Sequence, residues 1–95
     1  MARRRYLVAY DIRDDKRLRG IAVCMEGYGT RIQYSVFVGD LSARELVLMR
    51  RDLVTLMNQS EDSVMIIDLG QPDDKSRFQF LGVHEKLPMA GVVIV

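Results

Sequence analysis

The chain has 95 residues, 48% of them hydrophobic and 28% charged, with a formal net charge of +1; that composition excludes a largely disordered polymer, and the length suits one small domain. The lone Cys24 excludes an intramolecular disulfide and fits a reducing compartment, and no apolar run approaches the roughly 18 residues of a membrane span, so a cytoplasmic protein with no membrane partner is expected. The near-zero charge hides an asymmetry: residues 1–31 carry eight Lys/Arg against four Asp/Glu, residues 32–95 six against nine, so a basic end faces either phosphate or plain solvent.

Tyr6-Leu-Val-Ala-Tyr-Asp-Ile12 alternates as a strand until it meets a carboxylate, Asp11, with Tyr10 beside it. An ionised aspartate is disfavoured inside a strand and costly to bury, so Asp11 is placed at the strand's C-terminal end, where ligand chemistry often gathers in layered α/β folds. In Arg13-Asp-Asp-Lys-Arg-Leu-Arg19, Asp14 is a good N-cap and Asp15 sits near the positive end of the helix dipole. Leu18, Ile21, Ala22, Met25 and Tyr28 share one face of the helix, which Gly27 and Gly29 stop.

Ile32, Tyr34, Val36 and Val38 then alternate against Arg31, Gln33, Ser35 and Phe37, as one long bulged strand or as a tight hairpin. Ser42-Ala-Arg-Glu45 is a capping box opening a second helix with an apolar stripe of Leu46, Met49, Leu53, Leu56 and Met57. Ser63-Val-Met-Ile-Ile-Asp-Leu69 reads as a strand buried on both sides. Beyond a loop, Arg77-Phe-Gln-Phe-Leu-Gly-Val83 is a further strand, and the tail Gly91-Val-Val-Ile-Val95 is apolar.

This order predicts an α+β, ferredoxin-like βαββαβ sandwich with an additional C-terminal strand. It forms one domain over residues 1–95, with the core at about 5–69 and the terminal strand and tail at about 77–95. Two helices on one sheet face leave the other open, and a domain this small buries only roughly two-thirds of the surface its unfolded chain exposes, so a homodimer would help it.

No Ser/His/Asp set, phosphate-cradling glycine loop or Cys/His metal spacing is present, and His84 is the only histidine, more often a surface residue than a base. Any site therefore rests on carboxylate. One carboxylate is a poor Mg²⁺ site, but a two-fold axis doubles whatever lies near it. Asp11 from each subunit could then share one Mg²⁺ or Mn²⁺ through carboxylates and retained waters, against the plainer reading of an aspartate satisfied by backbone donors or Arg13.

The Tyr-Asp-Ile strand end, the helix running into Tyr28-Gly29, the Arg31-Ile-Gln-Tyr-Ser-Val-Phe37 block and the Glu61-Asp-Ser-Val64 strand start together resemble the CRISPR-associated Cas-two family, over about Arg5 to Leu69. The resemblance implies a two-fold homodimer whose terminal strand joins the partner's sheet, a metal role for Asp11, and activity roles for Arg31 and Phe37. Arg31 would grip phosphate, and Phe37 would pack against sugar, base or the other subunit. Nucleic-acid contacts are expected from Tyr10, Arg13, Lys16, Arg17, Arg19, Arg31 and Ser35, with Tyr10 as core the alternative. The implied function is spacer acquisition: bridging copies of the Cas-one integrase, through the terminal strand and the tail after Leu87, and binding DNA. With it goes Mg²⁺-dependent endonuclease activity on single-stranded RNA or double-stranded DNA. The alternatives are a non-catalytic DNA scaffold and an RNA-cleaving toxin that shares the fold.

Overall fold

A computed structural model describes residues 2–72, 78–83 and 92–94. Strand β1 (Arg4–Asp11) leads to helix α1 (Asp15–Glu26), then β2 (Thr30–Gln33), β3 (Val36–Leu41), α2 (Ala43–Leu56) and β4 (Ser63–Gly70). These make the ferredoxin-like βαββαβ unit, with an antiparallel sheet in the order β2-β3-β1-β4. Two short strands, β5 (Phe78–Phe80) and β6 (Val92–Ile94), pair in parallel as a separate ribbon. Of the further strand expected over 77–83, the described residues form strand at Phe78–Phe80, and part of the apolar tail supplies its partner. His84, Arg77 and the stretch following Leu87 up to the tail lie outside the described residues.

Local signals set both helices. Asp14 caps α1 by accepting from the Arg17 amide, and Ser42 and Glu45 form the complete capping box of α2. Ile21, Ala22 and Met25 of α1 and Met49 and Leu53 of α2 are buried against Tyr6, Val8 and Tyr10 of β1 and Phe37 and Leu41 of β3. Leu56, expected on the same stripe, turns partly outward, because α2 ends there and Met57 takes up the extended conformation that leads into the loop.

The Arg31–Phe37 block is a hairpin, turning at Tyr34-Ser35 with a bulge between Arg31 and Gln33. Where α1 leaves its last turn, Gly29 and Gly39 cross at backbone distance: a Cβ on Gly39 would stand 2.3 Å from the Tyr28 carbonyl oxygen. Neither side chain could be larger without parting the strands from the helix end.

The expectation of β4 as a strand buried on both sides is corrected. It is an edge strand; Val64 and Ile66 pack under the helices while Met65 and Ile67, 54% and 39% exposed, lie on the open face. Its continuous apolar run comes from having one covered face and one uncovered one, which hydropathy alone does not separate. On the open face, Phe78, Phe80, Leu81 and Val83 border a hollow together with Leu7, Ile32 and Val36. Among the described residues no helix is long and apolar enough to cross a membrane.

Candidate nucleic-acid and metal site

Residues at the C-terminal end of β1 point alternately to the two faces of the sheet, and the expected site divides between those faces. On the helix side, Tyr10 stacks on Phe37 with ring centroids 6.2 Å apart and planes at 24°, and the Arg31 guanidinium carbon sits 5.3 Å from the Phe37 centroid. Arg31 and Phe37 are direct cross-strand partners, so the hairpin sets them side by side. The result is a column of cation, ring and ring. Phe37 has no exposed surface and belongs to the core cluster. The expected contact of Phe37 with sugar or base is therefore corrected: the ring reaches a ligand only through Arg31, which rests on it and is itself exposed.

Tyr10 is likewise buried, and its hydroxyl has no hydrogen-bond partner among the described residues. Burial raises its pKa, with the nearby Arg31 charge acting the other way, so Tyr10 stays a neutral phenol. The hairpin turn is tied to β1 here, the Tyr10 amide donating to the Ser35 carbonyl at 3.1 Å. Ser35 thus stands at the strand end, half-buried.

Asp11, the next residue along β1, is turned to the other face opposite Ser63 of β4. Its side chain is 70% exposed and meets Arg13 only at 3.9 Å, the outer limit of an ion pair. Among the described residues it has no other ion-pair partner, so most of its lone pairs face solvent. Among the described residues no three His, Cys, Asp or Glu side chains gather to hold a metal, so one chain by itself offers Asp11 alone at this strand end.

The basic third of the sequence is largely spoken for. Arg3 pairs with Glu45, Arg4 with Asp68 and Arg5 with Asp40. Arg17, expected on nucleic acid, is held instead by Asp62 through Nε at 2.8 Å and by Glu61 at 2.9 Å. Its Nε and Nη2 are engaged by carboxylate, and Arg13, Lys16 and Arg19 are the exposed cations of the first helix and its approach. Asp62, quoted from the sequence only as part of the Glu61-Asp-Ser-Val64 strand start, has an anchoring role that sequence reasoning missed. Its side chain is fully buried and accepts from the backbone amides of Arg13 and Asn58 as well as from Arg17. Those donors, Arg17 first, hold its carboxyl far below the usual carboxylate range. It fixes the segment after Asp11 to the loop before β4, and the one available signal was an acidic residue just ahead of an apolar strand.

A family model described as CRISPR associated protein Cas2 matches residues 4–77. The chain is 41% identical over 69 residues to a CRISPR-associated endoribonuclease Cas2 of Rhodospirillum rubrum, covering 73% of this chain and 68% of that protein. It aligns with the crystal structure of a hypothetical protein from Thermus thermophilus at a TM-score of 0.77 and 34% identity, over 90% of this chain and 98% of that one. With the crystal structure of Streptococcus pyogenes Cas2 at pH 6.5 the TM-score is 0.66 at 32% identity, over 70% and 86% of the two chains.

Proposed function

The chain belongs to the CRISPR-associated Cas2 family, and from that premise we propose that it acts in CRISPR adaptation as a two-fold homodimer carrying a metal-dependent endonuclease site. The observation that carries the chemistry is Asp11, a 70%-exposed carboxylate at the end of a central strand with only a 3.9 Å contact to Arg13. The exposed Met65 and Ile67 on the same face support a sheet-to-sheet dimer, which would bring two copies of Asp11 near one axis. The two carboxylates would hold one Mg²⁺ or Mn²⁺. Such an ion, when bound, polarises a phosphoryl oxygen and lowers the pKa of water.

The chain's own residues bind and orient. Arg31 takes a phosphate oxygen, and Phe37 and Tyr10 act as positioning residues by fixing the plane on which the guanidinium rests. The substrate is single-stranded RNA or double-stranded DNA, and the name of the R. rubrum relative, an endoribonuclease, favours RNA. In the adaptation complex the dimer bridges Cas-one integrase copies and lays DNA along Arg13, Lys16 and Arg19, contacts that position a duplex without reading its bases.

A nuclease assay with added Mg²⁺ tests the chemistry. Asp11→Ala is expected to abolish cleavage while changing stability by less than about 0.5 kcal/mol, as for an exposed side chain with one loose contact. Sedimentation should show the same dimer for variant and wild type. Equal cleavage by the two proteins, or full activity in excess chelator, would refute the assignment.

A further inference from the structure

The outer surface of α2 carries a feature that neither the metal site nor the dimer uses. Val47 and Val54, 62% and 56% exposed, lie about two helical turns apart on one face. Together with Arg50, Arg51 and Thr55 they line one hollow, and a second, lined by Arg50, Leu53, Val54, Met57, Gln59, Val64 and Ile66, continues it down between α2 and β4. Arg50 and Val54 belong to both, so the two form one groove with an apolar floor and a cationic rim. Among the described residues Arg44 and Arg50 have no carboxylate within ion-pair distance, and Arg51 meets only Asp52, beside it on the same helix, at 3.5 Å.

We infer that this groove is a docking site for an acidic amphipathic helix of another protein. Apolar side chains spaced by three and four residues would fill the two hollows, while flanking carboxylates meet Arg44, Arg50 and Arg51. A nucleic-acid backbone matches the cations but has no apolar ridge to set on Val54, Met57, Val64 and Ile66. A second copy of this chain meeting it helix to helix would set arginine against arginine.

The test uses the full chain and a short synthetic helical peptide with leucines at that spacing and glutamates on its flanks, followed by isotope-edited NMR. Shifts are expected in α2 and the helix-facing residues of β4, with affinity that falls as salt rises. Val54→Glu and Arg50→Glu, both at exposed positions, should each weaken binding by about tenfold or more, a loss of about 1.4 kcal/mol per decade. Arg50→Glu should also gain affinity for the same peptide with lysines in place of glutamates, and unchanged thermal midpoints would show both variants folded. Absence of binding, shifts centred elsewhere, or variants that bind as wild type does would overturn the proposal. So would competition by duplex DNA or RNA that Arg50→Glu weakens and Val54→Glu does not, since the surface would then be a phosphate site.

Discussion

Replacing Phe37 by alanine separates a ring that touches substrate from one that supports the residue that does. The side chain has no exposed surface and packs among Tyr10, Val8, Ile21 and Met25, so its loss is expected to cost about 3–5 kcal/mol as a large core truncation. A domain of this length has roughly 5–14 kcal/mol in all, at about 0.05–0.15 kcal/mol per residue. The melting temperature should fall by at least about 12 °C, taking about 4 °C per kcal/mol as the lower bound. Phe37→Leu keeps most of the volume and should cost less than about 1.5 kcal/mol in packing. It still removes the ring beneath Arg31, a contact worth about 0.5–1 kcal/mol. Urea unfolding, sedimentation and cleavage kinetics on both variants provide the readouts. The alanine variant should unfold at a markedly lower urea concentration and lose cleavage in step with its fold, and the leucine variant should stay folded with a raised KM and a nearly unchanged kcat. The reasoning is refuted if Phe37→Ala unfolds at the wild-type urea midpoint and yet no longer cleaves, for then the ring acts on substrate directly.

Asp62→Asn should alter the acid limb of stability. A carboxyl held below its unfolded value of about 3.9 contributes stability that is complete above that pH and is lost as pH falls toward the folded value, so urea midpoints below about pH 4 should drop in wild type and flatten in the variant. Tyr28 gives the opposite limb: its hydrogen bond to Asp52 at 2.6 Å pushes the phenol up to about 12, so the stability it adds is intact below its unfolded value of about 10 and is lost as pH rises through the folded one. Tyr28→Phe should remove that alkaline loss, as circular dichroism against pH would record. Gly39→Ala drives a methyl onto the Tyr28 carbonyl oxygen at 2.3 Å and should cost about 1–3 kcal/mol in chemical unfolding, although alanine is ordinarily the better strand residue.

What the sequence disclosed was chiefly local. Asp14, Ser42 and Glu45 announce their helices because a cap needs only its own turn, and the apolar faces of α1 and α2 follow from spacing. The alternation left a bulged strand and a hairpin both open over Arg31–Phe37, because neither Tyr34 nor Ser35 is a turn specialist and the bulge keeps the alternation running across the turn. Asp11, Arg31 and Phe37 could be named from the chain, but which face each occupies depends on strand register and on which helix covers the sheet. Hence Phe37 was expected against sugar, base or the other subunit, and lies in the core of its own chain. Arg17 looked free for the same reason, since its carboxylates lie 44 and 45 positions away.

Those long-range pairs bear on how the chain finds its fold. Arg3, Arg4, Arg5 and Arg17, all in the positive third, end on Glu45, Asp68, Asp40, Glu61 and Asp62, all in the negative remainder. Before any packing exists, the two blocks already attract, and a denatured ensemble with opposite charges segregated along it is more compact than a neutral coil. The attraction draws β1 toward β3 and β4, the pairings of greatest sequence separation in the main sheet and the slowest to form by chance. Salt should therefore act on this protein before it is folded as well as after, expanding the unfolded chain and slowing its collapse even where the exposed pairs of Arg3 and Arg4 add little to equilibrium stability.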